Sequence, residues 1–314
     1  MRKRRLPIFW SVTVLLLLIV AAQLMAAKAP TQIIVADAKT THHLNLYVAE
    51  ELGLFQKHNL DVKIVPVVDN AASRDLVVSG QADVFWSCPT VAIAAIANGA
   101  PIRIISQVKK PCTSVLLVSP NSPIKTYADL KNKNIAGISP TCEAVISLTV
   151  KARENGGQFY LEKLAGGAAL AALEAGKVDG AILEEPQVSI AELKGYKVLF
   201  KEASANIPCR TINARNAFLK SNAADLKEFI KAVDEANAII LKNPIADNIV
   251  EISAKYTGAP IEAIKHGNDR LKFRIAIDKE GLDLLTKELI SLNNIKENPG
   301  DRLYAEEFRG ITWK

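Results

Sequence analysis

Four cysteines and a pair of adjacent histidines are the residues of this 314-residue chain best suited to chemistry: Cys88, Cys112, Cys142 and Cys209, with His42 and His43. Thiolates and imidazoles bind thiophilic metals and metalloids, whereas an oxyanion site needs only guanidinium and N–H donors. No CxxC or HxxxH spacing occurs, so no metal site is preformed in one local segment. Two other readings stand beside this one. Four cysteines in an exported protein suggest two disulfides, and cysteines also serve as small apolar packing residues.

The stretch SPTCEAVISLTV, Ser139 to Val150, narrows the chemistry. A Ser-Pro-Thr run leads into an apolar periodic segment and reads as a helix start, whose free backbone N–H groups suit an anion. It carries Cys142, which a helix start biases toward thiolate. It also carries Glu143, which argues against a strongly anionic ligand and tolerates a cationic one. The ligand this predicts is neutral, cationic or thiophilic. Metal-ligand candidates are Cys88, Cys142 and His43. No Ser-His-Asp spacing, Walker loop or zinc-protease helix supports hydrolysis or nucleotide chemistry.

The elements that must position these groups alternate between strand and helix from Pro30 onward, which indicates an α/β architecture. TQIIVAD and VKIVPVV read as strands. Between them, Leu44, Tyr47, Val48, Leu52 and Phe55 recur at helical spacing. VFWS is a short strand, and PTVAIAAIANG is a helix with Pro89 in its first turn and Gly99 as its stop. IRIISQV and SVLLVSP are strand-like. From about Ser119 the pattern begins again, and GGAALAALEAGKVDGAILEEP repeats the helix–Gly–strand order of residues 71–86. Beyond Cys209 the chain turns mainly helical. Leu226, Phe229, Ile230 and Val233 mark one amphipathic helix; Leu282, Leu285, Leu289 and Leu292 mark another.

Composition is that of a globular protein, 49% hydrophobic and 23% charged. The net charge of +6 owes four units to Arg2, Lys3, Arg4 and Arg5. What remains is too mild for a polyanionic partner, so nucleic acid is excluded. The basic cap is followed by LPIFWSVTVLLLLIVAAQLMAA, which has the layout of an export signal. The apolar run is also long enough to act as an uncleaved membrane anchor. Residues 1–29 are therefore expected to be a signal or anchor, with the rest delivered to the periplasm or the outer face of the cytoplasmic membrane.

The export segment, HHLNLYVAEELGLFQKHNLDVKIV, SGQADVFWSCPT, DLKNKNIAGI and AGKVDGAILEEPQ occur in an order that resembles a known family. They are similar to the extracytoplasmic solute-binding proteins of ABC importers of the nitrate, taurine, alkanesulfonate and thiamine-pyrimidine type. The resemblance covers nearly all of residues 31–314. It implies a two-lobe, type II-like periplasmic-binding-protein fold of the α/β class, with a ligand cleft between the lobes and two hinge crossovers. Lobe one would be 31–115 plus 210–314, and lobe two 116–209. It also implies a small-molecule solute, a membrane permease as partner, no cofactor and no catalysis. Fungal pyrimidine-forming synthases of the thiamine pathway share the fold and give the enzyme alternative. A ligand sensor for a membrane receptor is a third reading.

On that plan the ligand-binding candidates are His42, His43, Asn45, Ser87, Cys88, Pro89, Cys112, Thr141, Cys142, Glu143, Glu185 and Cys209. Glu184 and Glu185 follow the strand AIL at the cleft edge. Cys112 and Cys209 fall near the two crossovers and are placed to form a disulfide; a Cys88–Cys142 bond would tie lobe to lobe and block opening. Trp86 is expected in the core, His58 and His266 at the surface, and Asp83 and Asp179 in structural turns.

Overall fold

A computed structural model describes residues 29–164 and 166–312. The leader expected over residues 1–29 lies, apart from Ala29, outside the described residues. Among the described residues no helix is long and apolar enough to cross a membrane.

Among the described residues ten strands form two sheets. β1 (Thr31–Asp37), β2 (Leu60–Pro66), β3 (Val84–Ser87) and β4 (Ile102–Lys109) start the first. The chain then builds the second from β5 (Val115–Val118), β6 (Lys133–Gly137), β7 (Phe159–Lys163), β8 (Gly180–Leu183) and β9 (Lys197–Leu199), and returns to the first as β10 (Cys209–Arg215). The strand orders are β2-β1-β3-β10-β4 and β7-β6-β8-β5-β9. In each sheet four strands run in one direction, three of them paired side by side, and the fifth, β10 or β5, runs antiparallel to the neighbours on both sides. Each antiparallel strand is thus the one that enters from the other sheet. The two connections, 110–114 and 200–208, join the sheets side by side.

The local sequence accounts for these elements. VFWS and GAIL are buried at every position, as expected for central parallel strands covered on both faces. β2, at an edge, is only alternately buried. The helix Pro89–Ala97 starts on a proline and ends before Gly99, whose φ of +86° suits a residue without a side chain. The two halves also share a pinning device: Asp83 accepts from the Ile34 N–H at 3.0 Å, and Asp179 accepts from the Asn134 N–H at 2.8 Å. These are the short turns that the sequence marks as structural.

The long helix Asn216–Lys242 covers the first sheet with the face predicted from Leu226, Phe229, Ile230 and Val233. Phe229 stacks on Phe55 at 5.0 Å and meets Trp86 edge-on at 5.7 Å, so Trp86 belongs to the core as expected. The helix Lys279–Ser291 reaches across to the second sheet: Glu288 accepts from Ser147 at 2.7 Å. Phe229 is fully buried between two aromatic rings. Phe229→Ala is therefore expected to cost about 3–5 kcal/mol of unfolding free energy, measured by denaturant titration; a loss below about 1 kcal/mol would contradict the packing described.

Candidate functional site: a buried thiol cluster between the sheets

Parallel strands present their carboxyl ends to one side of a sheet, and loops and helix starts collect there. His42 lies in the turn Thr41–His43 after β1, where Thr40 Oγ1 accepts from the His42 N–H at 3.3 Å. Cys88 follows β3 and is the N-cap of the helix Pro89–Ala97. Cys142, after β6, is the N-cap of the helix Glu143–Glu154, and neither cysteine caps with its side chain. Ser139 Oγ shapes that second turn by accepting from the Thr141 N–H at 3.2 Å. Glu184 follows β8, Cys112 lies in the first crossover, and Cys209 and Arg210 open β10.

Arg210 is set by an unusual backbone. Its φ of +65° lies in the left-handed region, disfavoured for a side chain of this size at roughly 1–3 kcal/mol. The conformation falls between the register pairs Cys209–Lys109 and Thr211–Gln107. Arg210 is fully buried, and its head group meets the second sheet's carboxylates.

Glu143 is the hub. Its Oε1 accepts from Cys209 Sγ at 3.2 Å, Cys112 Sγ at 3.5 Å and Arg210 Nη1 at 3.1 Å; its Oε2 accepts from Cys142 Sγ at 3.6 Å. Arg210 Nη1 also donates to Cys88 Sγ at 3.0 Å, and Nη2 donates to the Glu184 carboxylate. Asn70 adds a donor to Cys88 Sγ at 3.3 Å. His42 Nδ1 is 3.6 Å from Glu184 and 3.7 Å from Cys209 Sγ, and its Nε2 is 3.1 Å from Thr113, which accepts from Lys109 Nζ. Thr90 crosses from the first sheet to the backbone carbonyl of Thr141. All four cysteines are free and buried. Beside the cluster lie two small cavities, about 40 Å³ next to Asn70, Cys88 and Cys142, and about 30 Å³ next to Ser114, Cys142 and Glu184.

Burial and neighbouring charge set the protonation. Burial pushes Glu143 up, but the adjacent Arg210 guanidinium prevails and holds its carboxyl below the usual range. Burial, Lys109, Arg210 and His43 all press His42 well below an ordinary histidine, so it stays neutral. Its hydrogen bond to Cys142 and its burial push the Cys88 thiol well up, and burial does the same for Cys112. Burial raises Cys209 too, yet the hydrogen bond from Cys112 and the charges of Lys109 and Arg210 bring it below the ordinary thiol value.

Residues 40–246 match the family described as NMT1/THI5 like. The chain belongs to that family. Among the relatives of this NMT1/THI5-like protein is the 4-amino-5-hydroxymethyl-2-methylpyrimidine phosphate synthase THI13 of Saccharomyces cerevisiae, 23% identical over 223 residues. The match takes in 66% of this chain and 65% of the yeast protein, so it spans less than two thirds of that relative. The periplasmic aliphatic sulphonate binding protein SsuA of Escherichia coli is similar in structure, with a TM-score of 0.75 at 21% identity, covering 90% of this chain and 98% of that one. The periplasmic nitrate-binding protein NrtA of Synechocystis PCC 6803 gives 0.72 at 15% identity, covering 88% and 86%. At these identities the likeness is one of fold: this NMT1/THI5-like protein has the two-sheet α/β periplasmic-binding-protein architecture.

The structure brings together His42, Cys88, Cys112, Cys142, Glu143 and Cys209, with Thr141 joined through its backbone carbonyl. It sets the other candidates elsewhere. His43 pairs with Asp37 at 2.6 Å beside Trp86, and Asn45 donates to Asn237 at 3.0 Å inside the first sheet's helical layer. Ser87 accepts from Asn213 at 3.2 Å, and Pro89 is the first helical residue. Glu185 binds Arg270 and the Ser189 N–H, while its neighbour Glu184 reaches the cluster.

Two expectations need correcting. Cys142 is not biased toward thiolate. The Cys88 hydrogen bond pulls it down, but burial and the adjacent Glu143 outweigh that and raise it. Cys112 and Cys209 do meet, but as free thiols around Glu143 rather than as a disulfide. Sequence reasoning also missed Arg210, Asn70, Lys109 and Thr113. One signal pointed to Arg210: it is the single charged residue between Ala203 and Ala214.

Arg210→Met leaves Glu143 buried and unpaired, at an expected cost of about 3–5 kcal/mol. In a double-mutant cycle with Glu143→Leu, the double variant should fall short of the summed losses by about 0.5–3 kcal/mol; strict additivity would contradict the pair. His42 is held below its free value of 6.5, so the unfolded chain takes up its proton first and stability falls as pH drops below about 6.5. The slope reaches at most about 1.4 kcal/mol per pH unit, and denaturation of His42→Gln between about pH 7 and 5 should show it flattened.

Proposed function

We propose that this protein is the extracytoplasmic solute-binding component of an ABC importer. It captures a small solute between two lobes, one built on each sheet, by hinge motion about 110–114 and 200–208, and hands it to a membrane permease. Export through the charged and apolar leader is part of the same reading. The observation that carries it is the composition of the cluster: every polar group in it comes from a strand end, a helix start or a crossover, and both sheets contribute. A solute held there bonds to both lobes at once and favours their closed arrangement, the behaviour a permease needs to tell loaded from empty protein. Similar folds in sulphonate- and nitrate-binding proteins support the reading.

A second reading, a pyrimidine-forming enzyme, is favoured by the names of the curated relatives and by the placement of His42 beside Cys209 in the thiol cluster. The two readings differ in stoichiometry: a carrier binds one solute and releases it unchanged, and an enzyme yields product.

Small-angle X-ray scattering of the full chain with thiophilic cations, sulphonates, nitrate and pyrimidines should give a smaller radius of gyration with one class. The same class should raise the melting temperature. A ligand at about 100 times its Kd stabilises by about 2.7 kcal/mol. Formation of a pyrimidine phosphate by the purified protein would overturn the carrier reading.

A further inference from the structure

The dimensions and donors of the cluster narrow its ligand. Organic ligands occupy pockets of roughly 300–1,000 Å³, whereas the two cavities beside Cys142 measure about 40 and 30 Å³. A cavity of about 400 Å³ meets the cluster at Cys112 and Thr113. The Cys142 side of the seam thus admits an ion, and on the Cys112 side the donors decide the ligand. The cluster's donors are mainly soft: four buried thiols, two carboxylates and one imidazole. Among them are two sets that share Glu143. One is Cys88, Cys142 and Glu143; the other is Cys112, Cys209 and Glu143, and within each set the ligand atoms lie within 4.8 Å of one another, all buried. Metal–sulfur bonds of about 2.3 Å allow one ion to span such a set after small side-chain adjustments.

The sets are not equivalent. Cys88 Sγ already accepts from Arg210 at 3.0 Å and from Asn70 at 3.3 Å, which occupies its lone pairs. Cys112 and Cys209 are not bonded to Arg210 directly, and Arg210 reaches their set only through Glu143 Oε1, at 3.1 Å. Outside the second set, His42 Nδ1 lies 3.7 Å from Cys209 Sγ and 3.6 Å from Glu184, and would have to move inward to join it. Two thiolates and a carboxylate make a three-donor set that Zn(II) and its heavier congeners accept with one position left open, and the sulfurs favour Cu(I) as well.

We infer that this protein binds one thiophilic d10 cation, of the Cu(I), Zn(II) or Cd(II) class, through Cys112, Cys209 and Glu143, and that this ion is the solute it carries. The site stands on the geometry alone; the role of the ion as cargo rests on the solute-capture reading above. Charge balances for a divalent ion. Formally, Glu143 and Glu184 are offset by Arg210 and Lys109 before binding. As the ion enters, the two thiols lose their protons to water and the cluster remains neutral. The cation also explains the placement of its donors, since Cys112 lies in one crossover, Cys209 starts the strand that the other leads into, and Glu143 opens a helix of the second sheet.

The test is a titration of the full chain, purified reduced and without oxygen, with cadmium(II) chloride. Expected are one Cd(II) per chain by equilibrium dialysis, a thiolate-to-cadmium charge-transfer absorption, and protection of two thiols from a thiol-counting reagent. Cys112→Ser and Cys209→Ser should each weaken binding by more than about 100-fold, beyond the roughly 10- to 100-fold that a change outside the ligand set costs. Cys88→Ser should fall within or below that range. No uptake by the wild-type protein, or equal uptake by Cys209→Ser, overturns the inference, and thiol protection in the unmutated chain decides the question even if a variant fails to fold. Scattering on the same samples separates the two readings. Cadmium bound without compaction keeps the site and removes the cargo role; compaction with an organic solute and no cadmium uptake keeps the carrier and removes the metal site.

Discussion

A single buried guanidinium organises the seam between the two sheets. Arg210 belongs to β10 of the first sheet, yet its partners are Glu143, at a helix start of the second sheet, and Glu184, at the end of β8. Taking a guanidinium and a carboxylate out of water costs several kcal/mol per ion, which their attraction recovers only in good geometry with the remaining lone pairs bonded. Here three thiols bond to Glu143 and a fourth accepts from Arg210. The thiols thus complete the solvation of an ion pair as well as forming a donor cluster. The pair favours the mutual placement of the sheets seen here, because moving them apart breaks both of its contacts.

The cluster inherits its layout from the repeated topology. His42 after β1 corresponds to Cys142 after β6, and Cys88 after β3 corresponds to Glu184 after β8. The antiparallel strands β10 and β5 occupy the same place in their sheets, so the connections leading into them run beside each other, one carrying Cys112 and the other ending at Cys209. A site made this way draws equally on both halves. It has no donor set within one short segment, and for that reason no compact sequence motif announces it.

Much of the architecture was legible because burial writes directly into the residue pattern. TQIIVAD and VFWS coincide with β1 and β3, and the apolar spacing of Leu226 to Val233 lies on the covered face of its helix. The convergence of His42, Cys88, Cys142 and Glu143 followed from placing each after a strand. Arg210 could not be read this way. Its partners Glu143 and Glu184 lie 67 and 26 positions away, and its left-handed backbone has no signature in the neighbouring residues. The protonation of Cys142 was misread for a related reason: the helix start was visible in the sequence, but complete burial beside a carboxylate was not.

The backbone of Arg210 constrains how the chain can vary. Only glycine, and to a lesser degree asparagine or aspartate, adopts a positive φ at little cost. None of these can carry a positive charge to two carboxylates, while lysine keeps the charge, keeps the strain and loses the fork that reaches both. Position 210 is caught between a backbone that asks for a small residue and a pocket that asks for a large cation. Relaxing the first demand strands Glu143, so positions 143, 184 and 210 form one unit that changes together or stays as it is.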